Sequence, residues 1–212
     1  MPRILAISDI HGHAEAARAL LRMADYAPGT DRLYLLGDFI DTNRGSWPAL
    51  RFARELALQG ARAVLGNMER WMLGAAERKE ATAVAPEDIS FLRETPLYWR
   101  EDEFLLVHAG IRPGVPLERQ EASDLTGIRN DFWEKDGELP YTVVFGHTPT
   151  FKMGARAGEL WFGKKRIGID TGAKHGCRLT LVDLSNRISF SCATESFGRY
   201  SDLRERGWTL PQ

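Results

Sequence analysis

Five short blocks in this 212-residue chain carry side chains that could bind metal ions and move protons. They are Ser8-Asp9-Ile10-His11-Gly12, Gly37-Asp38-Phe39-Ile40-Asp41, Gly66-Asn67-Met68-Glu69, Val107-His108-Ala109-Gly110 and Gly146-His147-Thr148-Pro149. Each follows an apolar run and offers a carboxylate, an amide oxygen or an imidazole. Such a mixed oxygen and nitrogen donor set suits Mn²⁺, Fe or Zn²⁺ better than a metal that seeks thiolates. The glycines let the backbone turn sharply and approach a ligand closely. One block alone is more often an ordinary turn. The order and placement of all five, which hold three of the chain's five histidines, point to a single ligand site.

Bringing these side chains together requires strands that end side by side, and in open α/β sheets ligand sites gather at strand C-terminal ends. Residues 4–8 read as a buried strand. Residues 13–26 read as a helix, with Ala17, Leu20, Leu21 and Ala24 at spacings of three and four. Pro28-Gly29 breaks it. A second strand over 33–36, a helix over 48–59, a third strand over 61–65 and a helix over 69–78 follow. Pro48 suits a first helical turn and Gly60 a stop. This βαβαβα rhythm predicts a largely parallel sheet covered by helices, an α/β fold. Further on, 97–100 and 104–107 flank the acidic turn Glu101-Asp102-Glu103 and predict a hairpin. Strands are expected over 141–145, 166–169, 178–183 and 187–192, the last two joined at Ser185-Asn186. No repeat or linker interrupts the chain, so one domain over 1–212 is expected. The polar tail from about residue 194, with Phe197, Tyr200 and Trp208, has no packing legible in the sequence.

Hydrophobic residues make up 43% of the chain and charged residues 27%, ordinary for a soluble globular protein and unlike a disordered one. A net charge of -1 provides no global field to steer nucleic acid or an anionic membrane towards it, and neither is expected as a partner. The run Lys164-Lys165-Arg166 reads as a solvated turn or strand edge. The apolar run at 4–7 is too short for a signal core, and no stretch approaches the ~18 apolar residues of a spanning helix. Cys177 and Cys192 lack metal-type spacing, and a reduced, cytoplasmic protein is the simplest reading. Trp47, Trp71, Trp99, Trp133 and Trp161 are scattered and read as packing residues.

The five blocks resemble the signature of the calcineurin-like metallophosphoesterase superfamily: Asp-x-His, Gly-Asp-x-x-Asp, Gly-Asn-His-Glu/Asp, a single-His block and Gly-His. With Ile169-Asp170-Thr171-Gly172, they look closest to the branch of bacterial and phage serine/threonine phosphatases and symmetrical diadenosine tetraphosphatases. The resemblance implies an αββα sandwich, two mixed β-sheets flanked by helices. It also implies two divalent cations, Mn²⁺ foremost with Fe or Zn²⁺ as alternatives. Asp9 and His11 would hold the first, Asp38 would bridge both, and Asn67, His108 and His147 would hold the second. Such a pair binds phosphate oxygens and acidifies the water that attacks phosphorus in line.

The chain departs from that signature in the third block, where the family's usual proton-donating histidine is Met68. A thioether has no proton to give. General acid catalysis is worth ~10²–10⁴-fold, so the loss weighs most on poor alkoxide leaving groups. Asp41, the family's partner to that histidine, is left to act alone, and His13 and His175 are candidate donors. The family's arginine after Asp41 is Thr42, which leaves Arg44 and Arg129 as candidate phosphate-binding groups. The expected function is hydrolysis of phosphomonoesters with good leaving groups, on a phosphorylated protein or small molecule. The alternative enzyme is a dinucleoside polyphosphate hydrolase. A catalytically silent metal-binding module that recognises phosphoproteins is the alternative of another class. Oligomeric state is left open.

Overall fold

The computed structural model describes residues 2–80, 83–135, 137–196 and 199–210. Elements run in the order β1 (Ile4–Ile7), α1 (Ala14–Met23), β2 (Arg32–Leu35), α2 (Pro48–Leu58), β3 (Arg62–Ala63), α3 (Asn67–Glu77), α4 (Pro86–Glu94), β4 (Tyr98–Glu101) and β5 (Phe104–Val107). They continue with α5 (Ala122–Gly127), α6 (Asn130–Trp133), β6 (Thr142–Phe145), β7 (Trp161–Gly163), β8 (Arg166–Gly168), β9 (Arg178–Asp183), β10 (Ile188–Ser196) and β11 (Arg199–Gly207).

The strands form two sheets, ordered β11-β10-β9-β1-β2-β3 and β4-β5-β6-β8-β7. β1, β2 and β3 are parallel, as their alternation with helices requires, but β9, β10 and β11 extend that sheet antiparallel. The largely parallel sheet expected from the first half is therefore a mixed one. In the second sheet β5, β6 and β8 are parallel, and β4 and β7 border them antiparallel.

Strand periodicity divides the core. In β1, Ile4 and Ala6 face the second sheet and, with Tyr34 and Val182 of their own sheet, pack against its Leu106, Val144 and Ile167. Leu5 and Ile7 face the helices, against Leu20 and Leu21 of α1 and Leu50 and Phe52 of α2. All four β1 residues are buried because both faces of the strand are covered. A third cluster, including Leu105, Leu125, Phe132 and Phe145, packs α5 and α6 on the outer face of the second sheet. The result is two mixed sheets face to face with helices outside.

Glu101, expected in a turn, ends β4 instead and binds Arg32, Arg62 and Tyr34 of the other sheet. The basic run also divides. Lys164 and Lys165 form the turn, while Arg166 is buried and donates to the carbonyls of Lys164 and Lys135. The polar tail supplies the edge strand β11, pinned where Asp202 takes Arg178, and Trp208 packs on Phe162. Phe197 lies outside the described residues. No helix among the described residues is long and apolar enough to cross a membrane.

Candidate metal centre

The loops that leave β1, β2, β3, β5 and β6 meet at one end of the sandwich. They bring Asp9 and His11, Asp38, Asn67, His108 and His147 respectively. Four of these residues adopt a left-handed backbone: Asp9 (φ 53°), His11 (φ 44°), Asp38 (φ 51°) and His147 (φ 64°). For a residue with a side chain, such a sparsely populated conformation costs of order 1–3 kcal/mol. Backbone bonds between the first two loops hold it: Asp9 N–H to Gly37 O (3.1 Å), His11 N–H to Asp38 O (3.0 Å) and Gly12 N–H to Phe39 O (2.8 Å). Two glycines are required by close approach. A Cβ on Gly66 would overlap Asp38 Oδ1, and one on Gly146 would overlap Ser8 Oγ and Asp9 Oδ2.

Two groups of potential ligands share Asp38. Asp9, His11 and Asp38 form one, Asp38, His108 and His147 the other, with donor atoms inside each group within 4.8 Å of one another. Asp38 divides its oxygens between them: Oδ1 lies 3.4 Å from His108 Nε2, and Oδ2 lies 3.9 Å from His11 Nε2. The imidazoles are oriented from behind. His108 Nδ1 faces the Leu36 carbonyl at 2.7 Å and His11 Nδ1 the Ile40 carbonyl at 3.1 Å. A carbonyl only accepts, so Nδ1 carries a proton and Nε2 is the nitrogen turned into the centre, able to ligate once it is deprotonated. Asn67 Oδ1 is 3.2 Å from His108 Nε2. His147 Nε2 is buried with no hydrogen-bond partner among the described residues, a cost that a cation would remove.

The electrostatics also fit a cation. Burial raises the pKa of Asp38, and burial with the charge of Asp9 raises that of Asp170 well above the carboxylate range. Neighbouring carboxylates this close cannot all ionise without positive charge among them. Burial opposes the charged form of His11, but its bond to Asp9 and the charge of Asp38 prevail and raise it to about 9. His147, buried beside His108 and Arg129, falls to about 3. The residues present thus suit two divalent cations bridged by one carboxylate.

His11, Asp38, Asn67 and His147 line a cavity of about 220 Å³ together with Met68, Arg129, Lys152, Asp170, Lys174 and His175. Arg129 and His175, expected from sequence, are therefore at the site. Burial and the charges of Lys152 and Lys174 lower the pKa of His175, so it is a poor proton donor at neutral pH. Asp41 stands at the edge, accepting Asn43 N–H (2.6 Å), with Lys174 Nζ 3.9 Å from its other oxygen. Arg44 does not line the cavity; it is exposed, with its guanidinium 5.5 Å from the Trp47 ring. His13 does not line it either, being buried with its ring edge-on to Tyr200.

Sequence reasoning passed over Asp170, Lys152, Lys174 and the supporting role of Glu69. Asp170 had a signal: like the other blocks, Ile169-Asp170-Thr171-Gly172 follows a strand and holds a polar side chain beside a nearby glycine. The lysines had none, because short loop turns carry no periodicity.

A family model described as calcineurin-like phosphoesterase matches residues 2–181. A symmetrical bis(5'-nucleosyl)-tetraphosphatase from Aromatoleum aromaticum is 36% identical over 132 residues, 56% of this chain and 48% of that protein. One from Methylococcus capsulatus is 31% identical, covering 94% of this chain and 82% of that one. The chain spans about half the length of the first of these. Among solved structures, a candidate diadenosine tetraphosphatase superposes with a TM-score of 0.75 at 24% identity, covering 91% of this chain and 96% of that one.

Proposed function

Since the chain belongs to the calcineurin-like phosphoesterase family and is a phosphoester hydrolase by that membership, we propose that its substrate is a phosphoanhydride of the dinucleoside polyphosphate class. The observation that carries this reading is Met68, which lines the cavity, 9% exposed, where the family's proton donor would stand. A phosphate leaves as a stable anion, whereas an alkoxide needs a proton that Met68 cannot supply.

Asp9, His11 and Asp38 would hold one cation. Asp38, Asn67, His108 and His147 would hold the other, Mn²⁺ being our first choice for both. Bound there, the cations would supply Lewis acidity towards phosphate oxygens and acidify a water at neutral pH. Arg129 has no ion-pair partner among the described residues, which frees its fork of donors for phosphate oxygens. Ser8 and the His147 amide fix the Asp9 carboxylate through Oδ2, leaving Oδ1 towards His11. Two free cysteines agree with the cytoplasm as its compartment.

Met68 also favours a second reading, hydrolysis of aryl phosphomonoesters such as phosphotyrosine. The manganese-loaded protein should be assayed on diadenosine tetraphosphate beside a phosphotyrosine peptide, with the nucleotide products identified. A lower kcat/KM on the tetraphosphate would hand the assignment to the monoester reading. Turnover of neither would make the protein a binding module.

A further inference from the structure

Two short turns border the metal cavity and have no part in holding the ligands. One is the single-turn helix Thr150–Met153 after His147, which carries Lys152; the other is Ala173–His175 after Asp170, which carries Lys174. The turns lean on each other through Phe151 and His175, whose rings meet edge to face at 5.5 Å. Left-handed glycines close both: Gly154 (φ 96°) ends the first, and Gly172 (φ 90°) and Gly176 (φ 69°) bracket the second. Packing and backbone thus fix two lysine-bearing segments against one another at the mouth of one cavity.

Both lysines line one cavity, and neither is closely paired with a carboxylate. Lys152 has no ion-pair partner among the described residues, and Lys174 has only Asp41 at 3.9 Å, too long for a direct hydrogen bond. Both side chains are exposed while the ligand carboxylates below them are buried. Metal ligands and lysines line the same cavity, the ligand carboxylate of Asp38 buried and the lysines exposed. A chain of phosphates anchored at the ligands can therefore reach the lysines on its way out of the cavity.

We propose that Lys152 and Lys174 form an anion subsite at the mouth of the metal cavity, which takes the departing phosphate of a phosphoanhydride substrate. The inference rests on the phosphoanhydride reading of the function. It assigns the two lysines to selection of a chain of phosphates over a single one, with Arg129 and the metal ligands serving the phosphate under attack.

The test is a calorimetric titration of the manganese-loaded protein with methylenediphosphonate and, separately, with orthophosphate. Removal of metal by the diphosphonate is common to all variants and cancels in the comparison. In the Lys152→Gln/Lys174→Gln protein, the preference for diphosphonate over orthophosphate should fall about tenfold at low salt, the scale of two exposed charge contacts. Lys164→Gln, which removes a lysine remote from the cavity, should leave that preference as it was. An unchanged preference in the double variant, or equal weakening of both anions, overturns the subsite. A wild-type enzyme that cleaves no phosphoanhydride refutes the proposed function, and the titration still decides the subsite.

Discussion

The carboxylate of Glu69, which has no solvent exposure, accepts the backbone N–H of Asp38 at 2.7 Å. Its other oxygen accepts the Phe39 N–H at 2.8 Å, and the first also receives that of Gly66 at 2.9 Å. Glu69 therefore fixes the left-handed turn that aims the shared ligand.

In Glu69→Gln, an amide NH₂ must replace one of these acceptor oxygens and face a backbone donor. Leaving a buried donor unsatisfied costs about 1–3 kcal/mol. The variant should melt earlier without metal and bind metal about 10–100-fold more weakly, as supporting partners of ligands do. Metal affinity equal to wild type would show that Glu69 does not set the position of Asp38.

Metal binding should release protons at pH 7. His11 is raised to about 9, so in the metal-free protein it holds a proton at pH 7 that a ligand must lose, and His108 is shifted in the same direction. His147, lowered to about 3, is already neutral and releases none. Affinity should accordingly climb as pH rises from 7 towards 9. Calorimetry in buffers of different ionisation enthalpy should count the protons, and His11→Ala should release fewer. A proton count of zero would mean the histidines are neutral before metal arrives.

Met68→His restores a donor facing the cavity. Turnover of phosphoserine should rise at least about tenfold, within the span of general acid catalysis. Nitrophenyl phosphate, with its better leaving group, should change little. A uniform change on both substrates would point to altered packing in place of proton donation.

Gly146→Ala places a methyl into Ser8 Oγ and Asp9 Oδ2. Overpacking of this kind costs about 1–3 kcal/mol, and the side chain that must yield is a ligand. Bound metal per chain, measured by mass spectrometry after dialysis, should drop below the wild-type ratio. Full retention would mean the loops adjust without moving Asp9.

The first half of the fold was legible because β1 and β2 are apolar runs buried on both faces, separated by helices with a clear buried stripe. β11 was not. Its sequence, Arg199 to Gly207, is charged because it lies at a sheet edge, where charge guards against pairing with another chain. α4 was missed as well, since its buried residues Asp88, Ile89 and Leu92 make only a short stripe. At the site, residue type and strand-end placement pointed to the five blocks that the structure brings together, while the ligand roles within them were implied by the resemblance. Arg44 was misread because its distance along the chain from Asp41 says nothing of the turn that sends it to Trp47. His13 was misread because nearness to His11 hid that its ring points to Tyr200.

The ligands do not belong to one sheet. Asp9, His11, Asp38 and Asn67 extend from one, His108 and His147 from the other. A cation shared by Asp38, His108 and His147 would rivet the two halves of the sandwich across a seam closed elsewhere by apolar contact and by the polar cluster around Glu101. Free metal then becomes a setting for durability: at a hundred times its dissociation constant, one ion adds about 2.7 kcal/mol to the folded state. Starved of metal, the protein would lose its resistance to heat and proteolysis along with its chemistry, so that its abundance in a cell would follow metal supply.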